Sequence, residues 1–89
     1  MLKITKTREG ERDVQLMLEG AVTEQWASLL DEVCRSYLLQ EKVVQLDCAH
    51  VDFVDARGVE VLKNLPRKRV TLMSAPGFVA HLLQRGDRP

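Results

Sequence analysis

VVQLDCAHVDFVDARGVEVLKNL, residues Val43 to Leu65, carries the order from which the fold follows. Val44, Leu46 and Cys48 alternate with polar neighbours as in a buried strand over Val43–Cys48, and a second short apolar segment follows. Asp55-Ala56-Arg57-Gly58 then leads into a helical pattern. Strand, turn and helix in that order put an exposed helix N-terminus at the carboxyl edge of a sheet. The first amides of such an end have no intrahelical acceptors, so it gathers anions and polar partners.

On the N-terminal side, Trp26, Leu29, Leu30, Val33, Tyr37 and Leu38 recur at helical spacing over Glu24–Gln40, the mark of an amphipathic helix. Thr23 is its expected N-cap. A helix that runs directly into a strand makes a strand–helix–strand unit with parallel strands. Before it, Leu2–Arg8 and Val14–Glu19 read as a hairpin, with Gly10 expected at positive φ and Gly20 expected to end the second strand. On the C-terminal side, the helix beginning near Ala56 turns Val59, Leu62 and Leu65 inward, with Val61 flanking, until Pro66 ends it. Val70–Met73 is a fourth strand. Ala75-Pro76 opens a last helix with Phe78, Val79, Leu82 and Leu83 as its apolar stripe, Gly86 as its stop and Asp87-Arg88-Pro89 as a frayed tail. The whole predicts one α/β domain over residues 1–89. Its architecture is a small sandwich, a mixed β-sheet of about four strands with about three helices packed on it.

Lys plus Arg and Asp plus Glu number 13 each, and aromatic residues make up 4%. No net field draws in a polyanion and little is left to stack bases, which excludes nucleic acid as a partner. Arg67, Lys68 and Arg69 read as a polar loop. No run approaches the ~18 apolar residues of a membrane span, and MLKITKTREG lacks a signal-peptide core. A cytoplasmic protein without direct membrane insertion is expected. Cys34 and Cys48 show no metal spacing and read as core thiols.

Asp55, as N-cap of the second helix, is expected to accept from the amides of Arg57 and Gly58, worth about 1 kcal/mol. Its other reading is a carboxylate that orients a partner. Arg57 places a cation in the first turn, against the helix dipole. Asp52, Asp55 or Glu60 can offset it, leaving a solvated side chain or a contact for a partner. Gly58 lets a neighbouring backbone, or a partner, approach closely. His50 with Asp52 or Asp55 would make a base and its orienter, yet no nucleophile stands in the segment. Asp47, Asp52 and Asp55 would suit Mg²⁺, yet no phosphate-binding glycine loop accompanies them. No catalytic residue, metal or cofactor is expected, and the chain does not read as an enzyme.

Leu18-Glu19-Gly20, the long helix after Thr23, and the Val43–Leu46 strand with Asp47 follow one another in an order that resembles the STAS domains, typified by bacterial anti-sigma factor antagonists. Val51-Asp52-Phe53-Val54-Asp55-Ala56-Arg57-Gly58-Val59 is similar to that family's hydrophobic–Asp–Ser–Ser–Gly–Leu signature. The resemblance implies a regulatory protein-interaction module whose partner is an ATP-binding, kinase-type anti-sigma factor. In the family the residue after the signature Asp is often a Ser or Thr that the partner kinase phosphorylates, and the added charge breaks the interface. That position is Ala56 here, with no hydroxyl, and Arg57 stands for the second Ser, while Asp55 and Gly58 are retained. The resemblance thus implies a form held constitutively unphosphorylated. Ser74, expected beside Asp55 at the carboxyl edge of the sheet, reads first as a strand-end serine bonded to loop backbone and only second as a substitute acceptor. The second helix is shorter than usual for the family, and Thr23 stands where many antagonists have Asp. The expected partner surface is Asp52, Phe53, Asp55, Ala56, Arg57, Gly58 and Val59, with Glu60 and Lys63 on the exposed helix face. Two other readings share the fold: a small STAS subunit steadying the ATPase of a lipid-trafficking ABC transporter, and a weak nucleotide-binding domain using the helix end near Ala56.

Overall fold

β1 (Leu2–Glu9) and β2 (Asp13–Val22) form the expected antiparallel hairpin, with Leu2 opposite Gly20 and Glu9 opposite Val14. In this computed structural model, which describes residues 1–85, α1 (Glu24–Leu39) carries the chain to β3 (Val43–Val54). α2 (Ala56–Asn64) leads on to β4 (Val70–Met73), and α3 (Gly77–Arg85) follows. Both crossovers join parallel neighbours, and the sheet runs β1-β2-β3-β4. The Gly86 stop and the Asp87-Arg88-Pro89 tail lie outside the described residues.

The pleat sorts the side chains. Val14, Leu16, Leu18 and Val22 of β2 and Val44, Leu46, Cys48, Val51 and Val54 of β3 are buried on one face. Gln15, Met17, Glu19, Gln45 and Asp47 alternate with them at half burial on the other. Leu2 of β1, Ala27, Leu30 and Cys34 of α1, Val61 and Leu62 of α2, Leu65 after it, Val70 of β4 and Val79 of α3 complete the core. Each fully buried Leu or Val there contributes roughly 1.5–3 kcal/mol.

β3 runs on through the apolar segment that the alternation set apart. Val14 to Val22 in β2 spans eight residue steps, while the paired Val44 to Val54 spans ten. The two surplus residues are taken up at register shifts opposite Leu18 and between Gly20 and Ala21. Each is a β-bulge, which moves the next buried position one residue onward. Gly20 does not end β2. It lies inside the strand at φ +108°, beside the second shift, where an added Cβ would stand 2.5 Å from the Met1 carbonyl oxygen. Gly10 does not take positive φ, and its amide closes the hairpin turn on the Asp13 carbonyl at 2.8 Å.

α1 is centred differently from the expected stripe. Its buried line is Ala27, Leu30 and Cys34, with Trp26, Val33, Tyr37 and Leu38 flanking and Leu29 exposed. Small side chains at the centre let the helix lie close to the sheet, and the large ones fill the wedges beside it. In α2, likewise, Val61 joins the core and Val59 stays half-buried.

The far end of α1 is closed by long-range bonds. The amides of Gln40, Glu41 and Lys42 return to the Tyr37 and Leu38 carbonyls at 3.0–3.2 Å, with Glu41 at φ +62°. Arg69 donates through Nη2 to Leu38 O at 3.1 Å and Lys42 O at 3.0 Å, so the supposed polar loop supplies a helix C-cap. Beside it Glu9 accepts from Lys42 and, at 2.7 Å, from Lys6. These two ammonium groups, Lys42 foremost, hold the Glu9 carboxyl down to about 2.

Candidate functional site

β2 ends at Val22 and β3 at Val54 on the same edge of the sheet, and from that edge α1 and α2 both depart. Asp55 stands between them. Its Oδ1 accepts from the Gly58 amide at 2.7 Å and its Oδ2 from the Glu24 amide at 3.1 Å. One carboxylate therefore caps two helices, using orphan amides of both. Of the two α2 amides expected to bond it, Gly58 does so. Thr23 holds the N-cap position of α1 in extended conformation but makes no side-chain cap bond. Its carbonyl instead accepts from Trp26 at 2.8 Å and Ala27 at 3.2 Å. Glu24 sits at φ +44°, left-handed backbone that is uncommon outside glycine, and the bond to Asp55 helps to hold it there.

Gly58 is buried, and a Cβ there would lie 2.2 Å from Val22 O and 2.8 Å from Val54 Cγ1. The close approach it permits is that of the neighbouring strand's backbone, and Gly58 supports the site from beneath. The Asp55 amide also donates to Val22 O at 3.3 Å. Arg57 donates from Nη1 to Glu60 Oε1 at 2.6 Å and from Nη2 to Ser28 Oγ at 3.2 Å. Of the three acids offered by the sequence, Glu60 is its ion partner. The pair is half-exposed and contributes at most about 1 kcal/mol, while Ser28 ties α2 to α1.

Asp52, Phe53, Ala56, Arg57 and Glu60 are exposed around this hub, and Asp55 and Val59 are half-buried. Phe53, near the end of β3, is 56% exposed. Lys63 lies apart, half-buried in the last turn of α2 where it faces α3. Ser74 does not stand beside Asp55. It follows Met73, which pairs with Asp47, and Asp55 lies eight residues farther along the chain from Asp47.

His50 and His81 are exposed. Asp47 is engaged with the Ala49 amide at 3.1 Å, and no group of three or more His, Cys, Asp or Glu gathers among the described residues. Burial pushes the Cys34 thiol up to about 12 and the Cys48 thiol up to about 11, so both stay protonated and unreactive. The long-range partners of Asp55 and Arg57 have no local signature. Glu24 and Ser28 are 31 and 29 residues away in the chain.

The sequence pattern of the STAS domain matches residues 4–87, and the chain belongs to the STAS domain family. Among solved structures it is similar to the anti-sigma factor antagonist SpoIIAA in its unphosphorylated form, with a TM-score of 0.75. That match covers 94% of this chain and 80% of the other at 14% identity, a likeness of fold. No curated protein sequence matches the chain. No helix among the described residues is long and apolar enough to cross a membrane.

Proposed function

We propose that this STAS domain is a non-enzymatic regulatory module that docks a protein partner at the start of α2. Asp52, Phe53, Ala56, Arg57 and Glu60 form the docking surface, Val59 borders it, and Asp55 and Gly58 fix the backbone beneath. The observation that carries this reading is Phe53, 56% exposed, beside a hub where the two oxygens of Asp55 hold the starts of α2 and α1. An exposed aromatic on a well-fixed backbone is the kind of side chain that anchors an interface. By analogy with SpoIIAA, the partner is a kinase-type anti-sigma regulator. Ala56 is the exposed first residue of α2 and offers such a kinase no hydroxyl. A phosphate there would bring about −1.5 to −2 charges beside Asp55. Without it, the surface stays in its docking state and control falls to competition or supply.

The reading as a subunit of an ABC transporter ATPase uses the same surface and differs in the partner recovered. Nucleotide binding has less support, because the Gly58 amide that would greet an anion is already taken by Asp55. Affinity purification from the native organism, with captured proteins identified by mass spectrometry, tests the proposal. The expected catch is an ATP-binding kinase-like regulator, depleted at least about tenfold by Phe53→Asp and by Arg57→Glu, the loss an interface anchor carries. A transporter ATPase in its place establishes the alternative, and a catch indifferent to both variants ends the docking assignment. With the kinase in hand, Ala56→Ser is expected to gain one phosphate from ATP. A bound kinase that leaves it unmodified is not an antagonist's switch partner.

A further inference from the structure

A groove of about 440 Å³ runs between the C-terminal half of α2, β4 and α3, away from the Asp55 surface. Leu62 of α2, Leu65 just beyond its end, Leu72 of β4 and Ala80 and Leu83 of α3 give it apolar walls. It exists because β4 is a four-residue edge strand and α3 packs chiefly on α2, leaving the border of the core open beneath α3. Its volume falls within the roughly 300–1,000 Å³ of small-molecule sites. Lys63 lines one rim and has no hydrogen-bond or ion partner among the described residues, although every lysine that pairs elsewhere in the fold does so with a carboxylate. Among the described residues that line the groove, the charged ones are Lys63 and Arg67, both cationic; Arg67 has a partner of its own, so Lys63 is the cation on offer. An apolar trough with a cationic rim is complementary to one kind of small molecule, a single alkyl chain ending in one negative charge.

We propose that this groove binds a free fatty-acid-like carboxylate, with the chain along Leu62, Leu72 and Leu83 and the head at Lys63. The assignment is independent of the docking surface at Asp55. Calorimetric titration of the intact chain with octanoate, decanoate and decanol, all below their aggregation limits, tests it. Each added methylene is expected to tighten carboxylate binding about fourfold. Lys63→Gln is expected to weaken decanoate by about threefold to fivefold, the worth of one half-exposed ion pair, and to leave decanol unchanged. Ala80→Trp, with circular dichroism to confirm its fold, is expected to abolish binding of both by filling the trough. The proposal is overturned by absence of decanoate binding at millimolar concentration or by affinity independent of chain length. Equal loss of decanol and decanoate in Lys63→Gln also overturns it. Should Ala80→Trp fail to fold, the chain-length series and Lys63→Gln decide the matter alone.

Discussion

The two ends of the sheet solve the same electrostatic problem in opposite ways. At the Asp55 end both parallel-crossover helices begin, and one carboxylate answers the positive ends of two helix dipoles. At the Glu9 end those helices finish, and the negative ends meet several cations. Arg69 bonds the Leu38 carbonyl in the last turn of α1 and the Lys42 carbonyl beyond it, and Arg35 reaches the Asn64 carbonyl of α2 at 3.4 Å. Lys42 is spent on Glu9, and Arg8 on Asp13 at 2.7 Å. Concentration at one end leaves Phe53 and Ala56 uncovered around a fixed hub. Distribution at the other ties up charged side chains in holding the chain together. A rigid, sparsely bonded edge is suited to contact, and a densely bonded one to stability.

The contrast breaks most readily at Gly58. Gly58→Ala drives a Cβ into the Val22 carbonyl and is expected to cost about 2–3 kcal/mol in urea unfolding, since neither backbone can yield cheaply. A loss below about 0.5 kcal/mol, the range of an ordinary surface change, would show that α2 does not rest on β2 there. Asp55→Ala comes next, at about 1–2 kcal/mol. Hydrogen exchange should quicken at the first amides of both α1 and α2. Quickening at α2 alone would refute the shared cap. At the opposite end Glu41 stands in left-handed backbone after α1, where glycine is the usual residue. Glu41→Gly is therefore expected to raise stability by about 0.5–1 kcal/mol, and a loss would mean the side chain has work of its own.

The smallest effect concerns Glu9, whose folded carboxyl is held from 4.5 down to about 2. Its stabilising contribution is complete above pH 4.5, declines as pH falls, and is gone below about 2. Solvent screening keeps it small. The difference in unfolding midpoint between the wild-type chain and Glu9→Gln should shrink across that window. A difference independent of pH would remove the lysine clamp from the account.

Local patterns made the element order legible. The hairpin, the long helix, the strand at Val43 and the short helix cut at Pro66 all follow from spacing and punctuation within a few residues. Asp55 as the cap of α2 followed in the same way, because its Gly58 partner is three residues on. What stayed hidden depends on contacts across the fold. Thr23 is a sound local cap for α1, but the bond came from Asp55, brought near only when β2 and β3 pair. Arg69 reads as part of a basic loop until β4 places it under the end of α1. Of the apolar stripe of α1 only Leu29 is exposed, and the small Ala27 takes the centre beside Leu30 and Cys34, because the closeness of the sheet and not side-chain size selects what lies there. Gly58 carried the right warning of close approach without naming the backbone that approaches.

The two register shifts of β3 give this strand slack in its length. Each takes up one surplus residue and returns β3 to phase with β2, so that the buried Val51 stands opposite Gly20 after the first and the buried Val54 opposite Val22 after the second. A one-residue deletion at either shift would remove a bulge, leave Val54 opposite Val22 and keep Asp55 at the edge. The same deletion in the regular stretch from Val43 to Asp47 has no bulge to absorb it and would turn the buried side chains outward. The segment that delivers Asp55 to both helix starts is thus the part of β3 where length can vary, a tolerance that acts on the chain before any partner does.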